Sequence, residues 1–315
     1  MPEQLTENTI LVLDHGFVAL DGALASDLSV VNGARVSFNQ VSDEMAERDQ
    51  GLIRFLMREG HGSPFEHGYF RFIVKAPALV TDASVRGDRG EPVAANPCFL
   101  NAELAAREFV EPCLAGLGKK AGALVFQFPP LPDPLLADPA AFVERLAAFL
   151  AALPPLPEPA EPADGGDGPC YAVEIRDAIL LTPRFVRTLR AAGVRYCVGL
   201  HARMPDPLRQ AAALALMDGE TPAGPLIVRW SLHSGFKYEQ AKARYEPFDK
   251  LVDEDPHTRV TLAELAARYA MAGQPVLITT NNKAEGSAPL TCAKLARAIA
   301  DEMERLRGEM RLTPA

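Results

Sequence analysis

A set of polar side chains falls at, or just past, the carboxyl ends of short β-branched and aromatic runs. Lys75 follows FRFIV, Gln127 sits in ALVFQF, Glu174 and Arg176 in YAVEIR, and His201 follows YCVGL. Arg229 sits in LIVRW with His233 shortly after it, and Asn281 and Asn282 follow VLITT. Buried without partners, such groups destabilise a core. Gathered at one end of a parallel sheet, they make the kind of rim where ligands bind. Lys75, Gln127, Arg176, Arg229, His233, Asn281 and Asn282 supply cations and amides suited to a small anionic or highly hydroxylated molecule. Glu174 and His201 are the candidate catalytic acid and base. A competing assignment makes Glu174 and Arg176 a buried ion pair, with Arg229 joining it.

The elements that must position these residues alternate. The strands expected are Phe70–Lys75, Ala123–Phe128, Tyr171–Arg176, Tyr196–Leu200, Leu226–Trp230 and Val276–Thr280, each followed by a helical stretch. Phe142, Leu146, Phe149 and Leu150 form one apolar helical stripe; Cys292, Leu295, Ile299, Met303 and Leu306 form another. Thr182-Pro183 reads as a helix start, Thr261 with Glu264 as a capping box, and Gly273 as a helix stop. His257, in DEDPHT, reads as part of a solvated turn, and Trp230 and Tyr238 as packing residues. Such alternation predicts an α/β fold with a parallel sheet, open or closed. Before Phe70 the reading yields one strand, Ile10–Leu13 continuing through Val18, and helical stretches near Asp27–Asn32 and Asp49–Arg58. Residues 153–169, LPPLPEPAEPADGGDGP, lack any period and are expected to be a mobile surface loop.

Composition narrows the partners. With 48% hydrophobic and 23% charged residues, the chain has the makeup of a soluble globular protein. A net charge of -9 argues against capture of nucleic acid or an anionic membrane by the surface as a whole. No apolar run reaches the roughly 20 residues of a bilayer span, and MPEQLTENT lacks the pattern of a secretory signal, so a cytoplasmic location is expected. Cys98, Cys113, Cys170, Cys197 and Cys292 are scattered, with no C-x-x-C pair, so neither a disulfide framework nor a metal centre is expected.

The run DLSVVNGARVSF at Asp27–Phe38 and the stretch GLIRFLMREGHGSPFEHGYFRFIVKAP ending at Pro77 carry a resemblance. Residues 1–77, most closely 9–77, are similar to the opening of the flavin-dependent thymidylate synthases, an α+β segment. That resemblance implies FAD contacts from His61 and Ser63, with Ser37 near the same site. It also implies methylation of dUMP with a folate methylene and NADPH, in a homotetramer whose active sites lie between subunits. The family follows its strand with an Arg-His-Arg phosphate clamp; this chain continues ALVTDASVRGDRGEPVAANP, without that motif. Arg86 and Arg89 are the cations that could replace the clamp; the alternative is that they are exposed loop charges. Read from residue types alone, His61, Ser63 and His67 fit either a cofactor contact or a helix end and turn.

From Phe70 onward the signatures FRFIVKAP, LVFQFPP, YAVEIRDAILLTP, RYCVGLHARMP, LIVRWSLHSG and ITTNNKAEGSAP appear in order. They resemble the family called domain of unknown function 72, whose fold is a TIM-type (β/α) barrel. The resemblance spans residues 70–315 and implies a barrel lacking its first two family strands. FRFIVKAP satisfies both family patterns, which implies a join of two ancestries there.

Overall fold

In a computed structural model of the chain, the structure describes residues 9–14, 35–39, 72–88, 90–118, 121–157, 168–233 and 236–312. Among these, the strands are β1 Thr9–Asp14, β2 Arg35–Asn39, β3 Phe72–Lys75, β4 Ser84–Arg86, β5 Pro92–Ala95, β6 Ala121–Gln127, β7 Cys170–Glu174, β8 Arg195–Leu200, β9 Leu226–Trp230 and β10 Val276–Asn281. The longer helices are α1 Pro139–Ala151, α2 Pro183–Ala191, α3 Pro207–Asp218, α4 Tyr238–Tyr245, α5 Pro256–Met271, the short α6 Asn282–Glu285, and α7 Ala288–Leu312. Apart from the antiparallel pair β4–β5, the recorded pairings are parallel. The α/β class expected from the alternation is therefore observed. By compactness the chain divides into residues 40–197 and, as a second unit, residues 1–39 with 198–315.

In the first unit β3 pairs with β6, β6 with β7, and β7 with the start of β8. Nearly every residue of β6 and all of β8 are buried, as continuous apolar runs covered on both faces must be. The α1 stripe does what its spacing predicts: Phe142, Val143, Leu146, Phe149 and Leu150 are buried. The Phe149 ring meets Phe126 of β6 edge-on at 5.1 Å, one of the favoured aromatic geometries. Thr182 caps α2 by accepting the Phe185 N–H at 3.2 Å, and Pro183 opens the helix as read. Residues 153–157 and 168–169 form no helix or strand; the rest of the proline-rich stretch lies outside the described residues.

The second unit is built around β10, which pairs with β9 on one side and β1 on the other. Beyond β1 lies β2, a strand that the sequence reading did not mark; RVSFN alternates, and its run was read only for its family resemblance. The strand pair β1–β2 thus covers the β10 edge that would otherwise expose unpaired N–H and C=O groups. The helical stretches expected near 27–32 and 49–58 lie outside the described residues. The helix α7 buries Cys292, Leu295, Ile299 and Met303, with Leu306 half-buried, and packs on α5, β1 and β10.

One boundary needs correction. The helix α5 begins at Pro256, and its cap is Asp255, which accepts the Thr258 N–H at 2.9 Å. Thr261 is inside that helix, its hydroxyl donating to the His257 carbonyl at 3.0 Å, so it is not the capping box expected with Glu264. His257 lies in the exposed first turn of the helix rather than in a solvated loop. An Asp-Pro pair suits both a turn and a helix start, and only the following apolar period separates them. Gly273 does close the helix, at a φ of +74°.

Candidate functional site

Strand register decides which polar residues share a face, because partners across a parallel ladder point the same way. In the first unit Lys75 is level with Val125, Gln127 with Glu174, and Ala172 with Arg195. Stepping by two along each strand sets Lys75, Gln127, Glu174 and Arg195 on one face of this sheet. Lys75, Gln127 and Glu174 stand at its carboxyl ends. Just past β7, the Arg176 guanidinium meets the Glu174 carboxylate at 2.7 Å, both essentially buried. Lys75 and Gln127 are half-buried and so reach the solvent boundary. The neighbouring Asp177, also buried, accepts the Leu131 N–H at 2.8 Å and ties the turn after β6 to the end of β7.

In the second unit Arg229 is 2% exposed and level with Thr279 of β10. Thr279 is level with Val12, and Val12 with Ser37. His201 follows β8, its Nδ1 accepting the Arg203 N–H at 3.4 Å in a local turn. His233 is half-buried; its N–H donates to the Lys283 carbonyl at 3.0 Å, and its ring packs edge-on against Phe236 at 5.3 Å. The side-chain oxygen of Asn281 accepts the Lys283 N–H at 2.9 Å, and that of Asn282 the Ala288 N–H at 2.8 Å. Both asparagines therefore shape the β10–α6 turn. Trp230 is buried, in keeping with packing.

The sequence reading overlooked several groups. Arg195, 9% exposed, opens β8 on the polar face of the first sheet. Lys283, 5% exposed, directly follows the two asparagines. Glu285 is fully buried, paired with Arg259, and accepts the Asp255 N–H at 2.7 Å. The signal for the last two was the charged NNKAEG segment immediately after an all-buried strand.

All five cysteines are free thiols. Burial pushes Cys113 and Cys292 up to about 12, so neither is a thiolate nucleophile near neutrality. Among the described residues, no group of three or more His, Cys, Asp or Glu is placed to hold a metal ion. Within the same residues, no helix is long and apolar enough to cross a membrane.

Among the described residues, Arg86 is not placed to hold a flavin diphosphate. His61, Ser63 and Arg89 lie outside the described residues, and Ser37 is placed only by its register in β2. Arg86 is committed elsewhere: its Nε donates to Asp82 at 2.7 Å, a second nitrogen reaches the same carboxylate at 3.2 Å, and a third the Gly90 carbonyl at 3.3 Å. A guanidinium neutralised in that way is a hairpin brace rather than a phosphate anchor.

Comparison with known proteins follows the division seen in the sequence. The family model for thymidylate synthase complementing protein matches residues 20–87. A flavin-dependent thymidylate synthase of Thermotoga neapolitana is 56% identical over 72 residues, covering 22% of this chain and 32% of that protein. One from Tropheryma whipplei is 46% identical over 83 residues, covering 25% and 31%. The chain thus spans about a third of the length of these curated relatives. Two solved DUF72 family proteins share the fold. The one from Enterococcus faecalis has a TM-score of 0.53 at 15% identity and covers 92% of this chain and 95% of its own. The one from Thermotoga maritima has a TM-score of 0.52 at 16% identity, covering 95% and 99%. The family model for the protein of unknown function DUF72 matches residues 66–314, most of the sequence, and the chain belongs to that family, carrying a thymidylate-synthase-like segment ahead of it.

Proposed function

We propose that the DUF72 part binds a small anionic or polyhydroxylated molecule at the carboxyl ends of its parallel strands. The observation that carries this reading is the polar face of the first unit, where Lys75, Gln127 and Glu174 share one side of the sheet and Arg176 is held against Glu174 at 2.7 Å. Arg176, held beside Glu174, would add its positive charge to that face. Gln127 would receive hydroxyls, and Lys75 would add positive charge at the edge. In the second unit Arg229, His233, Asn281 and Asn282 are the rim candidates. Glu174 in the first unit and His201 in the second are each, within their own unit, a group that could move a proton.

Thermal unfolding in the presence of dicarboxylates, sugar phosphates and neutral polyols tests the reading. At least one class raises the midpoint in a concentration-dependent way, and Lys75→Ala and Gln127→Ala, both at half-buried positions, weaken that response without lowering the unliganded midpoint. A flat response across the three classes overturns it.

A second reading rests on the local identity to flavin-dependent thymidylate synthases: FAD bound by the N-terminal segment, with methylation of dUMP in an assembly of several chains. The missing Arg-His-Arg motif and the commitment of Arg86 to Asp82 speak against it. Bound flavin in the visible absorption spectrum, together with dUMP-dependent NADPH oxidation, would establish it over the first.

A further inference from the structure

We propose that residues 246–255 are a strap, latched by charge, that lifts off the β10–α6 turn as one piece while the helices on either side of it stay folded. The opening needs no ligand, so the proposal stands apart from the rim reading.

The segment reads EPFDKLVDED, with Glu246, Asp249, Asp253, Glu254 and Asp255 against Lys250 alone. So acidic a stretch makes no core of its own. Between the buried Tyr245 that ends α4 and the buried Thr258 in the first turn of α5, every residue is at least partly exposed. Its apolar hold is Phe248 and Val252, both half-buried, which pack against Leu232, Ala241 and Tyr245. Phe248 has a φ of +68°, a region sterically unfavourable for a bulky side chain.

What fastens the strap is polar, and it converges on Glu285. The carbonyl of that residue receives the Val252 and Asp253 N–H groups at 2.8 and 3.2 Å, and its carboxylate the Asp255 N–H at 2.7 Å. Charge holds the margins. Asp253 meets Arg244 of α4 at 2.6 Å; Glu254 meets Lys294 of α7 at 2.7 Å and Arg259 of α5 at 3.1 Å. Arg244, Lys294 and Glu254 are each more than 40% exposed. Ion pairs so placed are weak, and salt weakens them further.

The surface beneath is of another kind. Lys283, Ala284, Glu285 and Gly286 are buried, and the strap backbone comes so near Gly286 that the Lys250 carbonyl oxygen would stand 2.5 Å from a Cβ there. On the C-terminal side, α5 is anchored by the buried Leu262, Leu265 and Ala266. A segment with few buried apolar contacts, next to an element with many, opens locally at a lower free energy than the whole domain. Its release uncovers the β10–α6 turn, whose Lys283 carbonyl is bonded to the His233 N–H after β9. The strap is thus a cover for the carboxyl ends of β9 and β10.

Amide hydrogen exchange of the full-length chain, resolved by residue, tests this across sub-denaturing urea and at low and high sodium chloride. The Val252, Asp253 and Asp255 amides are expected to exchange faster than those of Leu262, Leu265 and Ala266, and with a smaller urea slope. High salt speeds the strap amides and leaves the α5 amides unchanged. Arg244→Ala does the same, by up to about five-fold. Strap amides that share the rate and urea slope of the α5 amides overturn the proposal. So does strap exchange that neither salt nor Arg244→Ala alters, and so do strap amides with no protection, which would mean that the cover never closes. Should Arg244→Ala fail to fold, the urea and salt series on the unaltered chain decide alone.

Discussion

Glu174 has no exposed surface, and its carboxylate is matched by Arg176 at 2.7 Å. Removing one partner of such a pair leaves a charge stranded away from water, so Arg176→Ala is expected to destabilise the chain by about 3–5 kcal/mol in urea unfolding. Lys294 meets Glu254 at the same 2.7 Å, but both are more than 40% exposed, and Lys294→Ala is expected to change stability by less than about 1 kcal/mol. Equal effects would show that the Glu174–Arg176 pair is far wetter than its burial indicates. Both residues were legible beforehand because charged groups inside apolar strand runs stand out. Their mutual distance was not, since YAVEIR alone leaves open whether Arg176 turns back on Glu174 or outward. Lys283 escaped notice for the opposite reason: a lysine in a polar loop motif carries no mark of burial until the segment after Phe248 is laid against it.

Among the connections, Gly286 has the sharpest requirement. Its φ is +121°, and a Cβ there would stand 2.5 Å from the Lys250 carbonyl oxygen and 2.8 Å from the Val252 nitrogen. Gly286→Ala is therefore expected to lose more than the about 1–3 kcal/mol of the backbone conformation alone and to speed hydrogen exchange at the Val252 and Asp253 amides. Gly118, at φ +51° with nothing within 4 Å of its Cβ position, is the control, where only the backbone component applies. Similar losses at the two glycines would remove the close approach from the account. Strands with a strong apolar period were readable to within two residues at most ends. The second N-terminal strand, β2, was not, because its short alternating RVSFN run was read only for its family resemblance. Likewise the start of α5 was misplaced by several residues, since Asp255-Pro256 is equally good turn chemistry.

Across the whole molecule, buried thiols and phenols set the response to alkali. Cys113 and Cys292 stay protonated up to about 12, against about 9 for an ordinary thiol, and burial also raises Tyr171, Tyr196 and Tyr245. The unfolded chain releases these protons first, so it binds fewer protons than the folded chain and stability falls as pH rises. Stability is fully retained below pH 9 and declines from there toward 12, by about 1.4 kcal/mol per pH unit for each thiol once its unfolded form is ionised. Urea midpoints taken from pH 8 to 11 check this, and Cys292→Ala is expected to flatten the slope whatever it does to the level. A midpoint independent of pH over that range would contradict the burial of these groups.

Residue order alone determined the parallel α/β class, the composite ancestry and the missing phosphate clamp. Each depends on local period or on motif content, which survive in one dimension. Only the tertiary structure decided that β1 and β2 cover the edge of β10, that Arg176 closes on Glu174, and that Lys283 sits beneath an aromatic shell. Those outcomes join residues tens or hundreds of positions apart or turn on a side chain's final direction. Strand register and loop docking supply that information, and no spacing along the chain encodes it.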